Sequence, residues 1–264
     1  MRVLITGAGG FVGRHLTAHL VATTPDIDLH GTVFGASEAA LDGAVTHQID
    51  LRDEAAVCAL IAELKPDAIY HLAGQAFVPR SFEAPWETLE VNIRAQLNLF
   101  LGCLACKLAP RILITASAEI YGAAQHMPIT EDAPLLPSSP YSVSKVAQDL
   151  LGYQYHLSHG LPVLRARAFN HFGPGQDARF VAPAFAMQIA RIEAGLQPPV
   201  LQVGDLTAQR DFTDVRDIVR AYQLLLTHGD PGVAYNIASG QAHSIQRLLG
   251  TLLEATRVPI DIQV

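Results

Sequence analysis

Three groups of residues in this sequence have types and spacing suited to chemistry. The first is Tyr141-Ser142-Val143-Ser144-Lys145. Positions i and i+4 of a helix share a face, so a phenol and an ammonium at this spacing address the same space. Moving a phenol from about 10 toward neutrality takes about 4 kcal/mol. One cation ~4 Å away, at an effective dielectric of ~20, supplies about that much. The pair predicts a tyrosine acid/base drawn down by its lysine. The second group is Thr115-Ala116-Ser117, which closes a strand-like run and offers the Ser117 hydroxyl to a reacting oxygen. The third is Thr6-Gly7-Ala8-Gly9-Gly10-Phe11-Val12-Gly13, directly after another strand-like run. Gly7, Gly10 and Gly13 permit a tight turn, close approach of an anion to the backbone, and packing of helix on sheet. A helix opening at Phe11 and Val12 adds N–H donors for a pyrophosphate. The order, a dinucleotide loop followed by Ser, Tyr and Lys, sets the Tyr141–Lys145 pair apart from an ordinary exposed helix pair.

The elements that must carry these groups follow from periodicity. Short β-branched runs at 3–6, 29–34, 45–49, 68–72, 112–115 and 163–168 read as buried parallel strands. Segments 11–21, 53–64, 85–108 and 141–159 have helical spacing; in the first, Val12, Leu16 and Leu20 define one face. This alternation predicts βαβ units and a doubly wound parallel sheet. Past Gly173 the pattern shifts to helices with brief strands near Leu201 and Ala234. We therefore expect a dinucleotide-binding domain over 1–172 and a small lobe over 173–264, interleaved with the first. The strand-like end at 261–264 predicts that the natural chain continues.

Ligands of such sheets lie at the carboxyl ends of the strands. Asp50 and Leu51 follow the third strand; Asp50 suits an adenine amino group or, equally by its position, a helix cap. Leu72, Ala73 and Gly74 follow the fourth and border the same site. At the end of the second strand an acid favours NAD and an Arg favours NADP. Here Phe34-Gly35-Ala36-Ser37 offers neither, so NAD and NADP stay equal candidates.

Composition narrows the classes. The chain has 264 residues, 50% hydrophobic and 16% charged, with net charge −7. That is enough to bury a sizeable core, and it excludes a disordered or low-complexity chain. An acidic balance lacks the basic face of a nucleic-acid binder. No apolar run approaches the ~20 residues of a membrane span, and the N-terminus has no signal-peptide pattern. Three cysteines, Cys58, Cys103 and Cys106, form no even framework and suit a reducing cytoplasm. Without further Cys or His partners, Cys103 and Cys106 read as helix thiols, with no metal site expected.

Further motifs are His71-Leu72-Ala73-Gly74-Gln75 with Val78-Pro79, Tyr121-Gly122, the run from Arg167-Ala168-Phe169-Asn170 to Gly175-Gln176, and Val203-Gly204-Asp205 leading to Arg210-Asp211-Phe212. With these the whole chain resembles the extended short-chain dehydrogenase/reductases that act on nucleotide sugars (the NAD-dependent epimerase/dehydratase family), most nearly the GDP-6-deoxy-D-mannose reductases. The resemblance implies a Rossmann-type α/β fold with a small C-terminal substrate-binding lobe. It implies an NAD(P)-dependent oxidoreductase that reduces the C4 ketone of GDP-4-dehydro-6-deoxy-D-mannose to GDP-D-rhamnose, and a homodimer formed through helices 85–108 and 141–159. By the same resemblance Tyr141 is the acid/base, Lys145 orients the cofactor ribose, and Ser117 bonds the reacting oxygen. Asn170 would contact the sugar nucleotide, and Phe180, Val181 and Arg210 would line the GDP pocket. Charge matching to a diphosphate supports Arg210, against a salt bridge to Asp211 or Asp214. Arg80 is a further phosphate candidate. Ser117 and Glu119 could equally serve a GDP-mannose 4,6-dehydratase; against that stand Phe34-Gly35-Ala36, where those enzymes carry an Arg-rich segment, and Ala118. A 4-epimerase and a noncatalytic nucleotide sensor are the other rivals.

Overall fold

The computed structural model describes residues 1–35 and 41–263. The first half runs β1 (Arg2–Thr6), α1 (Phe11–Thr23), β2 (Asp28–Val33), β3 (Val45–Gln48), α2 (Glu54–Leu64), β4 (Ala68–His71), α3 (Val78–Glu83), α4 (Pro85–Leu89), α5 (Ala95–Ala105) and β5 (Arg111–Thr115). There follow α6 (Pro140–His159), β6 (Val163–Ala168), β7 (Asn170–Phe172), α7 (Val181–Glu193), β8 (Val200–Gln202), β9 (Gln209–Asp214), α8 (Val215–His228), β10 (Ala234–Ile237), β11 (Ala242–Ser244), α9 (Ile245–Glu254) and β12 (Asp261–Gln263).

The main sheet has seven parallel strands in the order β10-β6-β5-β4-β1-β2-β3. Its strands are apolar on both faces because helices cover both. On one face Leu16 and Leu20 of α1 and Ile218, Val219, Tyr222 and Leu226 of α8 pack with Val3, Ile5, Leu113 and Leu164. On the other, α2, α5 and α6 bring Val57, Ile61, Leu99, Phe100 and Tyr155 against Leu4, Ile69, Ile112 and Ile114. The crossover through α1, which opens with the Gly-rich loop at the carboxyl end of β1, leads to β2, and the crossover through α2 returns from β3 to β4 on the other side of β1, so strand order reverses between β1 and β4.

The chain divides into two compact units, one of residues 1–169 and 216–237, the other of 170–215 and 238–264. The lobe expected over 173–264, interleaved with the first domain, begins here at residue 170 and is interrupted by residues 216–237. Residues 216–237 belong to the first unit because α8 covers its sheet and β10 pairs with β6. The second unit has its own small sheets, β11-β9-β7 and β12-β8, and a core of Phe185, Ile189, Leu201, Ile245 and Leu249.

Two element expectations also change. The helix expected over 85–108 is α4, a π-helical turn at Glu90–Arg94 and α5, ending at Ala105. The turn coincides with Asn92, whose amide is buried and bonded away from its own helix. The strand expected over 29–34 ends at Val33, leaving Phe34 exposed. Ala36 and Ser37 lie outside the described residues. No helix among them is long and apolar enough to cross a membrane.

Candidate active site

Helix α6 begins with a reciprocal cap. The Ser139 hydroxyl accepts from the Ser142 N–H at 3.0 Å, the Ser139 N–H donates to the Ser142 hydroxyl at 2.9 Å, and Pro140 occupies the first turn. Such a cap is worth about 1 kcal/mol. It fixes the first turn, which carries Tyr141, and hence Lys145 one turn on. The buried face of α6 is Tyr141, Ser144, Lys145, Gln148, Asp149, Gly152 and Tyr155, mostly polar. Asp149, fully buried, pairs with Arg165 at 2.7 Å and Arg167 at 2.8 Å on β6. Arg167 continues to the Tyr121 hydroxyl (2.8 Å) and the Glu131 carbonyl (2.7 Å). The loop after β5 is thus tied to α6 through charge-assisted bonds.

Ser117 caps a short 3-10 turn (Ala118–Tyr121), accepting from the Glu119 N–H at 3.2 Å. Its hydroxyl hydrogen-bonds the Tyr141 phenol. Lys145 Nζ lies 5.9 Å from the centre of the Tyr141 ring and donates to the Thr115 carbonyl at 2.8 Å. The structure brings Ser117, Tyr141 and Lys145 together at the carboxyl end of β5, and Glu119 stands beside them. The expected direction of the phenol's shift is overturned. Burial, with the Glu119 charge adding to it and the Ser117 bond opposing, pushes Tyr141 up to about 12. Burial also takes Lys145 down to about 8. Desolvation wins because the phenol is almost wholly enclosed and the ammonium spends a hydrogen bond on a backbone carbonyl.

Two buried polar groups that the sequence reading missed hold this arrangement. The amide of Asn92 exchanges bonds with the Gln75 backbone (2.7 and 3.1 Å) and donates to the Ser144 hydroxyl at 2.8 Å. Thr6 and His71 bond across β1 and β4 at 2.8 Å, while the Thr115 hydroxyl donates to the His71 carbonyl at 3.1 Å. Burial holds His71 down at about 3, neutral throughout the physiological range. The available signal for Asn92 was an amide inside an apolar helical run.

The Gly-rich loop fits a pyrophosphate. Gly7 has φ +69°, and a Cβ there would sit 2.8 Å from the Ala73 Cα; at Gly13 it would meet the Gly7 carbonyl at 2.3 Å. At Gly10 a Cβ would meet only that carbonyl, at 3.3 Å, so the space beyond is open. Helix α1 starts at Phe11 and Val12 with no side-chain cap and no acid in its first turn, leaving N–H groups to an anion. Leu72, Ala73 and Gly74 follow β4 beside this loop, as Gly7 against Ala73 shows. Leu51 is buried in the core after β3. Asp50 does not cap α2. Asp53 does, accepting from the Ala56 N–H at 3.1 Å, while Asp50 is ion-paired to Arg52 at 2.7 Å.

In the second unit a cavity of about 390 Å³ is lined by Asn170, Val181, Phe185, Asp205, Arg210 and Phe212, among others. Arg210 makes no ion pair with a described residue. Its Nη1 donates to the Gln209 carbonyl, and Asp211 instead accepts from the Ser239 and Gly240 N–H groups. Phe180 is the N-cap residue of α7, beside Val181. Arg80 points to acids, donating to Glu87 at 2.5 Å and Glu83 at 3.4 Å, so its side chain is committed to its own helical segment.

A doubly wound parallel sheet with a Gly-rich first turn and a Ser-Tyr-Lys constellation defines a dinucleotide-dependent oxidoreductase fold of the short-chain type. Residues 4–262 match the family model described as GDP-mannose 4,6 dehydratase, and the chain belongs to that family. It is 40% identical to GDP-6-deoxy-D-mannose reductase of Pseudomonas aeruginosa over 99% of this chain and 82% of that protein. It is 32% identical to dTDP-glucose 4,6-dehydratase of Streptomyces antibioticus over 99% of this chain and 79% of the other. The structure of RMD from Pseudomonas aeruginosa complexed with NADPH superposes with TM-score 0.88 at 39% identity, covering 99% of this chain and 84% of that one. The Thermus thermophilus UDP-glucose 4-epimerase complex with NAD gives TM-score 0.87 at 30% identity, covering 100% and 86%.

Proposed function

We propose that this protein reduces the C4 ketone of GDP-4-dehydro-6-deoxy-D-mannose to GDP-D-rhamnose. The observation that carries the reading is the buried Tyr141 phenol, hydrogen-bonded to Ser117 and held in its protonated form. A reductase needs a proton donor at the ketone oxygen, and a phenol that keeps its proton through the neutral range is one. Bound at the Gly-rich loop, the reduced nicotinamide supplies the hydride. Tyr141 gives its proton to the oxygen on C4 as charge develops there, and Ser117 steadies that oxygen. Lys145, cationic below about 8, stabilises the phenolate left behind and orients the cofactor ribose. The 40% identity to a GDP-6-deoxy-D-mannose reductase supports the substrate class. The dinucleotide is assigned to the first unit. The GDP moiety is assigned to the second unit's cavity, with Asn170, Phe180, Val181 and Arg210 as its contacts.

Glu119, whose charge is felt by Tyr141, favours a second reading as a dehydratase, which must remove the C5 proton and expel the C6 hydroxyl. Incubation with GDP-mannose and with the keto-sugar, followed by mass spectrometry and nicotinamide absorbance, separates the two. The reductase consumes one reduced cofactor per keto-sugar, leaves GDP-mannose unchanged, and keeps most of its activity as Glu119→Gln. Loss of water from GDP-mannose without net cofactor consumption refutes it.

The active form is a homodimer. Outward-facing Val143, Leu150, Tyr153 and Leu157 on α6, with Phe82 of α3 and Trp86 of α4, helices that pack against α6, are the exposed apolar residues that support it. Free Cys58, Cys103 and Cys106 support a reducing cytoplasm as its compartment.

A further inference from the structure

We propose that Arg52 reads the 2′-phosphate of the cofactor's adenosine and makes this protein prefer NADPH over NADH; the proposal rests on the reading of the Gly-rich loop as a dinucleotide site. Among the described residues, the end of β2 carries no cation to select the cofactor. Residues 31–51 contain no Lys or Arg, and Phe34 stands there 65% exposed. The cation comes from the next strand. Arg52, four residues past β3, lays its guanidinium over the Phe34 ring with Cζ 5.7 Å from the ring centre.

That place is where an adenosine ribose belongs. The Gly-rich loop is bound directly to β2: the Ala8 N–H donates to the Thr32 carbonyl at 2.9 Å and the Gly7 N–H to the Thr32 hydroxyl at 3.2 Å. A dinucleotide whose pyrophosphate rests on that loop carries its adenosine toward the end of β2. An acid there accepts from the 2′-hydroxyl of NAD, and an Arg there takes the 2′-phosphate of NADP.

Among the described residues Asp50 is the acid in reach, and it is occupied. Its Oδ1 accepts from the Arg52 backbone N–H (2.9 Å) and Nε (3.0 Å), and its Oδ2 from Nε (3.1 Å) and Nη2 (2.7 Å). The same bonds fix the guanidinium in place before any ligand arrives and leave Nη1 without a partner among the described residues. A held guanidinium loses little rotamer freedom on binding, and its planar fork matches a phosphate. Arg94, itself paired with Glu90 at 2.9 Å, lowers the Asp50 carboxyl after Arg52, while the Glu90 and Glu87 charges act on Arg52, so Arg52 is the cation that a phosphate would meet here. Phe34 gives the guanidinium an aromatic seat.

Calorimetric titration of the purified protein with NADPH, NADH, 2′,5′-ADP and 5′-ADP tests the assignment without turnover. Wild type should bind NADPH and 2′,5′-ADP roughly 10–100-fold more tightly than NADH and 5′-ADP, the usual worth of a charge-assisted bond. Arg52→Gln should bring both ratios close to one with NADH affinity changed less than about threefold, and Arg52→Lys should keep part of the preference. A wild-type ratio near one overturns the proposal, as does an Arg52→Gln protein that loses NADPH and NADH affinity in equal measure. If neither dinucleotide binds the folded wild type, the dinucleotide reading falls, and this assignment with it.

Discussion

At the residue scale, the proposed reduction depends on two ionisable groups that burial shifts in opposite senses. Tyr141 sits high, at about 12, and Lys145 low, at about 8. The phenol is therefore a proton donor across the whole working range, and its titration does not limit activity near neutrality. Lys145 does limit it. As pH rises through about 8 the ammonium loses its charge and the departing proton leaves an unassisted phenolate. The reductive kcat/KM, which reports the free enzyme, should be level on the neutral side and decline above about pH 8. A pH–rate profile checks this, and Lys145→Met should remove the alkaline limb along with most of the activity. Tyr141→Phe should lower kcat by roughly 10²–10⁴-fold while NAD(P)H affinity, measured by fluorescence titration, stays close to wild type. The spacing of Tyr141 and Lys145 was legible in the sequence. The direction of the phenol's shift was not, since it depends on how completely the ring is enclosed, which only tertiary packing decides.

At the element scale, α6 is amphipathic in an inverted sense. Its buried face carries Ser142, Ser144, Lys145, Gln148 and Asp149 beside Tyr141 and Tyr155, while Val143, Leu150 and Leu157 at seven-residue spacing face outward. Helical periodicity alone would have buried the apolar stripe. The interior can take the polar side because Asp149 meets two arginines and Lys145 donates to a carbonyl, so Asp149 is ion-paired and the ammonium keeps a hydrogen bond. Leu150→Glu combined with Leu157→Glu should leave the fold intact and convert the proposed dimer to monomer, read by sedimentation equilibrium. The turn between β1 and α1 allows a second separation of fold from binding. Gly10→Val adds side-chain atoms where only the Gly7 carbonyl stands nearby, so circular dichroism should stay native while cofactor titration shows binding lost. Gly13→Val, by contrast, meets backbone from its first carbon and should fold poorly. The strands and helices of the first sheet were readable because each is a continuous apolar run or a clear helical stripe. The strands of the second unit are mostly three residues long, below the length at which a period of two can register, and form only where their partners hold them. Arg52 was unreadable for a related reason: its aromatic seat, Phe34, lies on another strand end, eighteen positions away.

At the scale of the whole molecule, the chain passes between its two units at residues 169–170, 215–216 and 237–238. The first unit is therefore finished by α8 and β10, made after most of the second. Translation delivers the chain from its N-terminus, so β1 to β6 emerge from the ribosome well before the helix that covers Leu113 and Leu164 or the strand that pairs with β6. Until then the part of that face over Leu113 and Leu164 is bare and β6 presents an open edge, the surface that nascent chains and chaperones recognise. Nascent chains stalled with residue 215 outside the tunnel should be cleaved rapidly by added protease, and those stalled with residue 237 outside should yield a resistant sheet, whether or not the last residues of the second unit have been synthesised.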